Sequence, residues 1–307
     1  MPRRKRGKSV HGWLVLDKPC EMTSTQAVAA IKRLYNAQKA GHAGTLDPLA
    51  TGILPIALGE ATKTVSFVVD GEKAYRFSVR WGAETRTDDA QGETIKSSDA
   101  RPSIAEIEAL LPRFTGEILQ IPPSFSAIKV DGQRAYDRAR DGEAVALDAR
   151  GVVISELNAI GHPDASTTVF EASCGKGTYV RALARDMGRA LGCYGHVVGL
   201  RRSRVGPFGE DRALTLDALL GPSHAADAHH FLLDRLLPVE AALEDVFRLN
   251  VSAADAARLK RGQPMLLRGR DAPILRGSAY AVSNGQLIAI GEIDMGELRP
   301  TRVFNFG

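Results

Sequence analysis

GHAGTLDPLATG, residues Gly41 to Gly52, packs three glycines, one proline and a single carboxylate, Asp47, into twelve residues. Gly41, Gly44 and Gly52 allow sharp turns and the close approach of another backbone or a substrate. Pro48 fixes φ directly after the carboxylate. Asp before Pro is also a common turn-starting pair, because Asp bonds its own backbone and Pro presets the dihedral. Local chemistry leaves two readings open: a plain turn, or an acid presented as a nucleophile with His42 beside it.

The flanks place this loop between regular elements. Trp13 to Pro19 (WLVLDKP) reads as a buried strand ending at the proline. Thr23 and Gln26 fit a capping box that opens a helix. Ala27, Ile31 and Leu34, with Val28 and Tyr35, form its apolar stripe. Ile53 to Gly59 is an apolar strand-like run, and Lys73 to Gly82 alternates as a strand carrying Tyr75. Glu84 to Glu93 reads as a polar loop, followed by a helix from Ile104 to Leu111. The segment after Ile121 predicts a proline-bounded loop, a short strand with an Asp131-Gly132 turn, and a short helix. VVISELNAI and Thr167 to Cys174 predict antiparallel strands. Gly175 to Gly192 is a glycine turn opening a helix whose stripe is Val180, Leu183, Ala184, Met187 and Leu191.

Residues 219 to 232 are Ala- and His-rich, and His224, His229 and His230 lack metal-ligand spacing, so this segment reads as an exposed linker. A new unit begins near Phe247. Ser252 caps a short helix ending at Gly262, and Asn284-Gly285 between apolar runs signals a type I′ hairpin. One helix with several short strands predicts a small β-rich, barrel-like module. Strands and helices do not alternate regularly, which favours an α+β fold over a doubly wound one.

The chain has 307 residues, 44% hydrophobic and 25% charged, an ordinary globular composition. No apolar run reaches the roughly 18 residues of a membrane span, and the basic N-terminus lacks the apolar core of a secretory signal. Cys20, Cys174 and Cys193 are too scattered for a disulfide framework or a metal knuckle. These features predict a reduced, cytoplasmic protein. The formal net charge is +4. Basic residues cluster at Arg3 to Lys8, at Arg201, Arg202 and Arg204, and at Arg258, Lys260, Arg261, Arg268 and Arg270. Three clusters favour a polyanionic partner.

No Walker loop, dinucleotide fingerprint, HExxH motif or nucleophile elbow is present. What remains is a carboxylate, tyrosines, an arginine and basic surface. That set suits cofactor-free covalent or acid–base chemistry on a polyanion.

DKPCEMTS, GHAGTLDPLATGILPIALGEATK, KAYRFSVRWGAETRTDDAQG, IPPSFSAIKVDGQRAY, CGKGTYVRALARDMG and GHVVGLRR follow one another in the order and spacing of the TruB family of tRNA pseudouridine synthases. The resemblance runs from about Gly12 to Arg204. The C-terminal unit resembles the PUA-like RNA-binding domain of that family. Cys20 and Glu21 stand where the family usually has a glycine-containing turn, and Ala43 replaces a common Thr.

The resemblance implies an α+β pseudouridine synthase fold with a mixed, mainly antiparallel sheet flanked by helices, plus a small PUA-like β-barrel. It implies a basic arm over residues 1–10, a catalytic domain over 11–245 and an RNA-binding domain over 246–307. The implied reaction turns uridine 55 of the tRNA T loop into pseudouridine without metal or cofactor. Asp47 maps onto the catalytic aspartate, Arg181 onto its arginine partner and Asp89 onto an acid of the same network. Tyr75 matches the catalytic tyrosine that stacks on the target base and is a candidate to shuttle a proton. Tyr179 and Leu200 match residues lining the uracil pocket. His42 resembles the residue that fills the gap left by the flipped nucleotide. The implied partner is the T-loop and acceptor arm of tRNA, gripped by a monomer. A non-catalytic tRNA-binding or folding role, alone or beside catalysis, is the alternative. A guide-RNA-dependent catalytic subunit is disfavoured by the short C-terminus without a long charged tail.

Overall fold

The computed structural model describes residues 7–126, 128–130, 133–134, 138, 147–221, 228–267 and 276–306. The apolar run near the N-terminus becomes the strand Gly12–Lys18, buried along nearly its whole length. Such unalternating burial belongs to strands covered on both faces. It pairs antiparallel with Thr51–Leu58, from Gly12 opposite Leu58 to Lys18 opposite Gly52. These two strands form one side of a ten-stranded sheet.

Across the sheet the order is Leu214–Thr215, Gly12–Lys18, Thr51–Leu58, Gly195–Val205, Lys73–Trp81, Thr167–Cys174, Arg150–Asp164 and Gly116–Gln120. The first pair is parallel, as is the short contact of Arg201 and Arg202 with Thr51 and Gly52. The other pairs along this path are antiparallel. The sheet is therefore mixed and mainly antiparallel. Its central parallel contact lies where the Gly41–Gly52 loop joins its strand.

Helices cover one face. Ser24–Leu34 starts at the expected capping box, in which the Thr23 hydroxyl and the Gln26 side chain satisfy each other's backbone N–H groups. It buries Ala27 and Ile31, and Tyr35 beyond its end donates to Leu232 O at 2.8 Å. Val180–Ala190 buries Val180, Leu183, Ala184 and Met187 of the expected stripe. Both helices pack on a core that includes Leu14, Leu54, Phe77 and Phe170. The opposite face carries Trp13, Val15, Ile53, Val205 and Phe208.

The C-terminal unit is a five-stranded sheet in the order Phe247–Asn250, Gly277–Ser283, Gln286–Asp294, Glu297–Val303 and Met265–Leu266. Helix Ala253–Lys260, capped by Ser252, seats Ala256 and Leu259 against Ala279, Ala281, Ile288 and Leu298. The sheet curls over this helix, as the PUA-like expectation requires. Asn284 and Gly285, with φ of 49° and 75°, make the expected primed turn.

Two readings change. Glu84 to Glu93 is not a simple surface loop: Ala83–Thr85 pairs with Thr94–Ser97, and Glu84, Thr85, Asp88 and Asp89 are buried. Of residues 219 to 232, the described ones are not all exposed, because Leu219 and Leu232 sit in the core and Ala228–Leu233 is helical. His230 is exposed, whereas His224 and the His229 side chain lie outside what is described. Lys129–Val130 pairs with Gln133–Arg134 as expected. The Asp131-Gly132 turn, Arg268, Arg270 and residues 1–6 of the basic arm also lie outside the described residues.

Candidate active site

The Asp47 loop is pinned residue by residue. Arg202 donates to Gly44 O at 3.0 Å, Thr45 O at 3.3 Å and Ile53 O at 2.8 Å. Ser24, in the first turn of its helix, donates to Leu46 O at 3.0 Å and accepts from Leu46 N at 2.9 Å. Lys18 Nζ donates to Pro48 O at 3.3 Å, and Glu21 N donates to the same oxygen at 2.7 Å. Gly44 and Gly52 take φ of 90° and 99°. A Cβ on Gly52 would lie 2.2 Å from Arg202 O, so the loop closes onto its neighbour strand only with glycine there. Gly41 needs no such freedom: its φ is ordinary and a Cβ would meet open space.

On this platform Asp47 stands with 34% of its side chain exposed, 2.8 Å from Nε of Arg181, which is 5% exposed. The Nε proton is not aligned on the carboxylate oxygen, so the contact is an ion pair rather than a directed hydrogen bond. Arg181 is fixed from behind. Nη1 donates to Thr87 O at 2.9 Å and lies 3.7 Å from Asp89, and Nη2 donates to Phe125 O at 2.9 Å. Asp89 is held by Thr87 Oγ1 at 2.5 Å and Gln91 N at 3.0 Å. Asp47, Arg181 and Asp89 thus meet as the sequence led us to expect, although Arg181 is buried where a helix-start arginine is usually exposed.

Tyr75 and Tyr179 lie within electrostatic reach of the carboxylate. Burial pushes both phenols above their usual range, with Asp47 acting in the same direction. Arg202, the cross-strand neighbour of Tyr75, opposes that shift. Both rings are therefore neutral near pH 7. Tyr179 is anchored through its backbone, which exchanges hydrogen bonds with the Gln120 amide at 2.8 and 3.2 Å. His42, at the end of the short strand Ala40–His42, is half-buried. Burial and then Arg202 lower its pKa, which keeps the imidazole neutral. Leu200 is packed in the core, paired in register with Phe77 on the neighbouring strand.

Among the described residues, five buried side-chain polar atoms lack an aligned partner, and Nδ1 of His42, Nε of Arg181 and Oγ of Ser126 are among them. Ser126 lies against the Tyr179 phenol. Unsatisfied buried polar atoms are uncommon and costly. Those of His42, Arg181 and Ser126 belong to residues at or beside the Asp47 loop and Tyr179. Among the described residues no group of three or more His, Cys, Asp or Glu is placed to hold a metal ion, and no helix is long and apolar enough to cross a membrane.

The sequence reading missed the residues that hold the loop. Lys18 and Arg202 are 0% and 2% exposed. A signal for Arg202 was present: it lies two residues after Leu200 on one strand, so an inward Leu200 brings Arg202 to the same face. The second basic cluster is correspondingly not a free RNA-binding patch. Arg201 pairs with Asp17 and Glu210, Arg204 pairs with Glu72, and Arg202 is buried.

The fold is that of the pseudouridine synthases. Residues 32–180 match the model of the TruB family pseudouridylate synthase N-terminal domain, and residues 181–244 match that of the tRNA pseudouridylate synthase B C-terminal domain. A protein of Rhodopseudomonas palustris named tRNA pseudouridine synthase B is 60% identical over 305 residues, covering 99% of this chain and 83% of the relative. One of the same name from Agrobacterium fabrum is 56% identical over 305 residues, covering 98% and 97%. Among solved structures, a Cbf5–Nop10–Gar1 complex matches with a TM-score of 0.75 at 26% identity, over 96% of this chain and 85% of that one. An H/ACA ribonucleoprotein bound to a substrate RNA containing 2′-deoxyuridine matches in fold, with a TM-score of 0.76 at 24% identity, over 99% and 92%. The chain belongs to the TruB family of pseudouridine synthases.

Proposed function

We propose that this chain isomerises a tRNA uridine to pseudouridine, at T-loop position 55, with Asp47 as the catalytic carboxylate and no cofactor. The observation that carries this reading is the part-exposed Asp47 held 2.8 Å from a buried Arg181 on a loop pinned along its length. Relatives 60% identical over nearly the whole chain bear the name of that activity.

In the reaction the N1–C1′ bond breaks, the base turns, and C5 bonds to C1′. C5 gives up a proton and N1 takes one, so no atom is gained or lost. A carboxylate serves such a path as a nucleophile toward ring or sugar, or as the counter-charge to a cationic C1′. Arg181 stands against Asp47 as its counter-charge, 2.8 Å away, and holds the carboxylate in place. Asp89 sets the position of Arg181. The neutral Tyr75 ring stacks on the flipped uracil, with Tyr179 and Leu200 as further walls. His42 occupies the stack that the base has left, offsetting an unstacking cost of about a few kcal/mol.

We infer that residues 1–10 form a basic arm, 11–245 the catalytic domain and 246–307 the RNA-binding module. The end of the second family match at residue 244 supports the last boundary. We further infer a cytoplasmic monomer that grips the T-loop and acceptor arm.

The test is purified protein with an unmodified tRNA transcript, no guide RNA and no cofactor, with position-resolved pseudouridine mapping. The wild type should modify the T-loop uridine. Asp47→Asn should yield no product yet bind tRNA as tightly. Product from Asp47→Asn would remove Asp47 from the mechanism. Binding without product in the wild type would leave the tRNA-folding role.

A further inference from the structure

Arg202 lies beneath the catalytic loop with 2% of its surface exposed. Its three nitrogens each hold a main-chain carbonyl, two ahead of Asp47 (Gly44 and Thr45) and one beyond it (Ile53). All three acceptors are neutral. Its guanidinium also acts electrostatically on the partly buried Tyr75 phenol, from the register position opposite it. Its own backbone is the surface on which Gly52 closes.

A buried charge without a charged partner costs several kcal/mol, and an apolar side chain of similar length would fill the space more cheaply. Neutral carbonyls recover only part of that cost. What the guanidinium adds is a planar group whose donors sit at fixed angles, so three backbone points are referenced to one rigid plane. A lysine ammonium, or packing alone, gives no such angular definition.

We propose that Arg202 is a positioning residue of the isomerisation. It fixes the backbone on both sides of Asp47 and sets the Tyr75 ring relative to that backbone, so the carboxylate and the stacking ring share one reference. It touches neither base nor sugar, and the inference rests on the pseudouridine-forming reading of this site.

The experiment compares wild type, Arg202→Met, Arg202→Lys and, as a stability control, Ile31→Ala, which opens the core two helical turns beyond the loop-pinning Ser24. Single-turnover pseudouridine formation, tRNA affinity and thermal stability are measured for each on one unmodified transcript. A misplacement of about 1 Å costs on the order of 100-fold in rate. Arg202→Met should lose about that much single-turnover rate while tRNA affinity stays within about threefold. Arg202→Lys should fall between, since an ammonium keeps the charge but not the three-point geometry. Ile31→Ala should keep its rate despite an equal or larger loss of stability. A wild-type rate in Arg202→Met overturns the proposal. So does a rate loss that Ile31→Ala reproduces, or a loss confined to tRNA affinity. If Arg202→Met does not fold, Arg202→Lys decides: a folded variant at full rate overturns the proposal, and a slowed one with intact affinity supports it. Absence of product from the wild type would fall on the reading of the site and not on Arg202.

Discussion

At the scale of single residues the site is built from Asp47, the adjacent acids Asp88 and Asp89, and two arginines one helical turn apart. Arg181 takes Asp47 and Asp89, while Arg185 lies 2.9 Å from Asp88, itself in a left-handed conformation with φ of 60°. That strained dihedral costs about 1–3 kcal/mol and belongs to a segment where both neighbouring carboxylates reach the helix. Burial outweighs Arg185 and pushes the Asp88 carboxyl from 3.8 up to about 6. The folded protein therefore holds this proton more tightly than the unfolded chain does. The resulting stabilisation is full below about pH 4 and is lost as pH rises through about 6. Asn does not titrate, so the stability difference between Asp88→Asn and wild type should move in favour of the variant between pH 4.5 and pH 7.5. Thermal unfolding of both proteins across that range checks it, and parallel curves would refute the assignment. Asp89 and Arg181 were legible in the sequence, through family resemblance. Asp88 and Arg185 were not, because nothing local says that a polar run will be buried against a helix ninety residues away.

At the scale of elements, what was legible is what is determined locally. The Thr23–Gln26 capping box, the Ser252 cap, the Asn284-Gly285 turn and the apolar stripes all formed as read, since each depends on residues a few positions apart. The loop glycines were only partly legible. Gly41, Gly44 and Gly52 look alike in the sequence, yet their roles depend on what strand lies against them. Gly52 meets the Arg202 backbone and Gly41 meets nothing. Gly41→Ala should therefore leave folding stability nearly unchanged. Gly52→Ala should cost about 1–3 kcal/mol from its dihedral alone, and more from the clash, because a carbonyl oxygen 2.2 Å away is main chain and cannot swing aside. Chemical denaturation of the two variants reads the difference directly. Equal losses would mean that the loop is not closed on its neighbour strand as described.

At the scale of the whole molecule, the C-terminal sheet is docked rather than tethered. Leu287, Ile290 and Phe304 share one apolar cluster with Trp13, Val15, Ile53 and Phe208 beneath the catalytic sheet. The closing segment returns to the same region: Asn305 N donates to Glu60 at 2.8 Å, Lys63 donates to Val303 O at 2.7 Å, and Phe306 meets the His11 ring edge-on. Lys63 also lies 5.5 Å from the centre of the Phe304 ring. Exposed Arg258, Lys260 and Arg261 on the module are thereby held at a set distance from Asp47. A rigid link converts two weak RNA contacts into one tighter one, because the second forms without a further search. Phe304 is 1% exposed, so Phe304→Ala should cost about 3–5 kcal/mol where the two units meet. With the link loosened, tRNA affinity should fall several-fold, while the single-turnover rate at saturating tRNA stays near wild type because Phe304 makes none of the hydrogen bonds that pin the Asp47 loop. Binding titrations and single-turnover assays on the same preparation separate the two effects. If affinity held while the rate fell, Phe304 would be supporting the catalytic sheet itself, and the module's charges would not depend on its seat for their use.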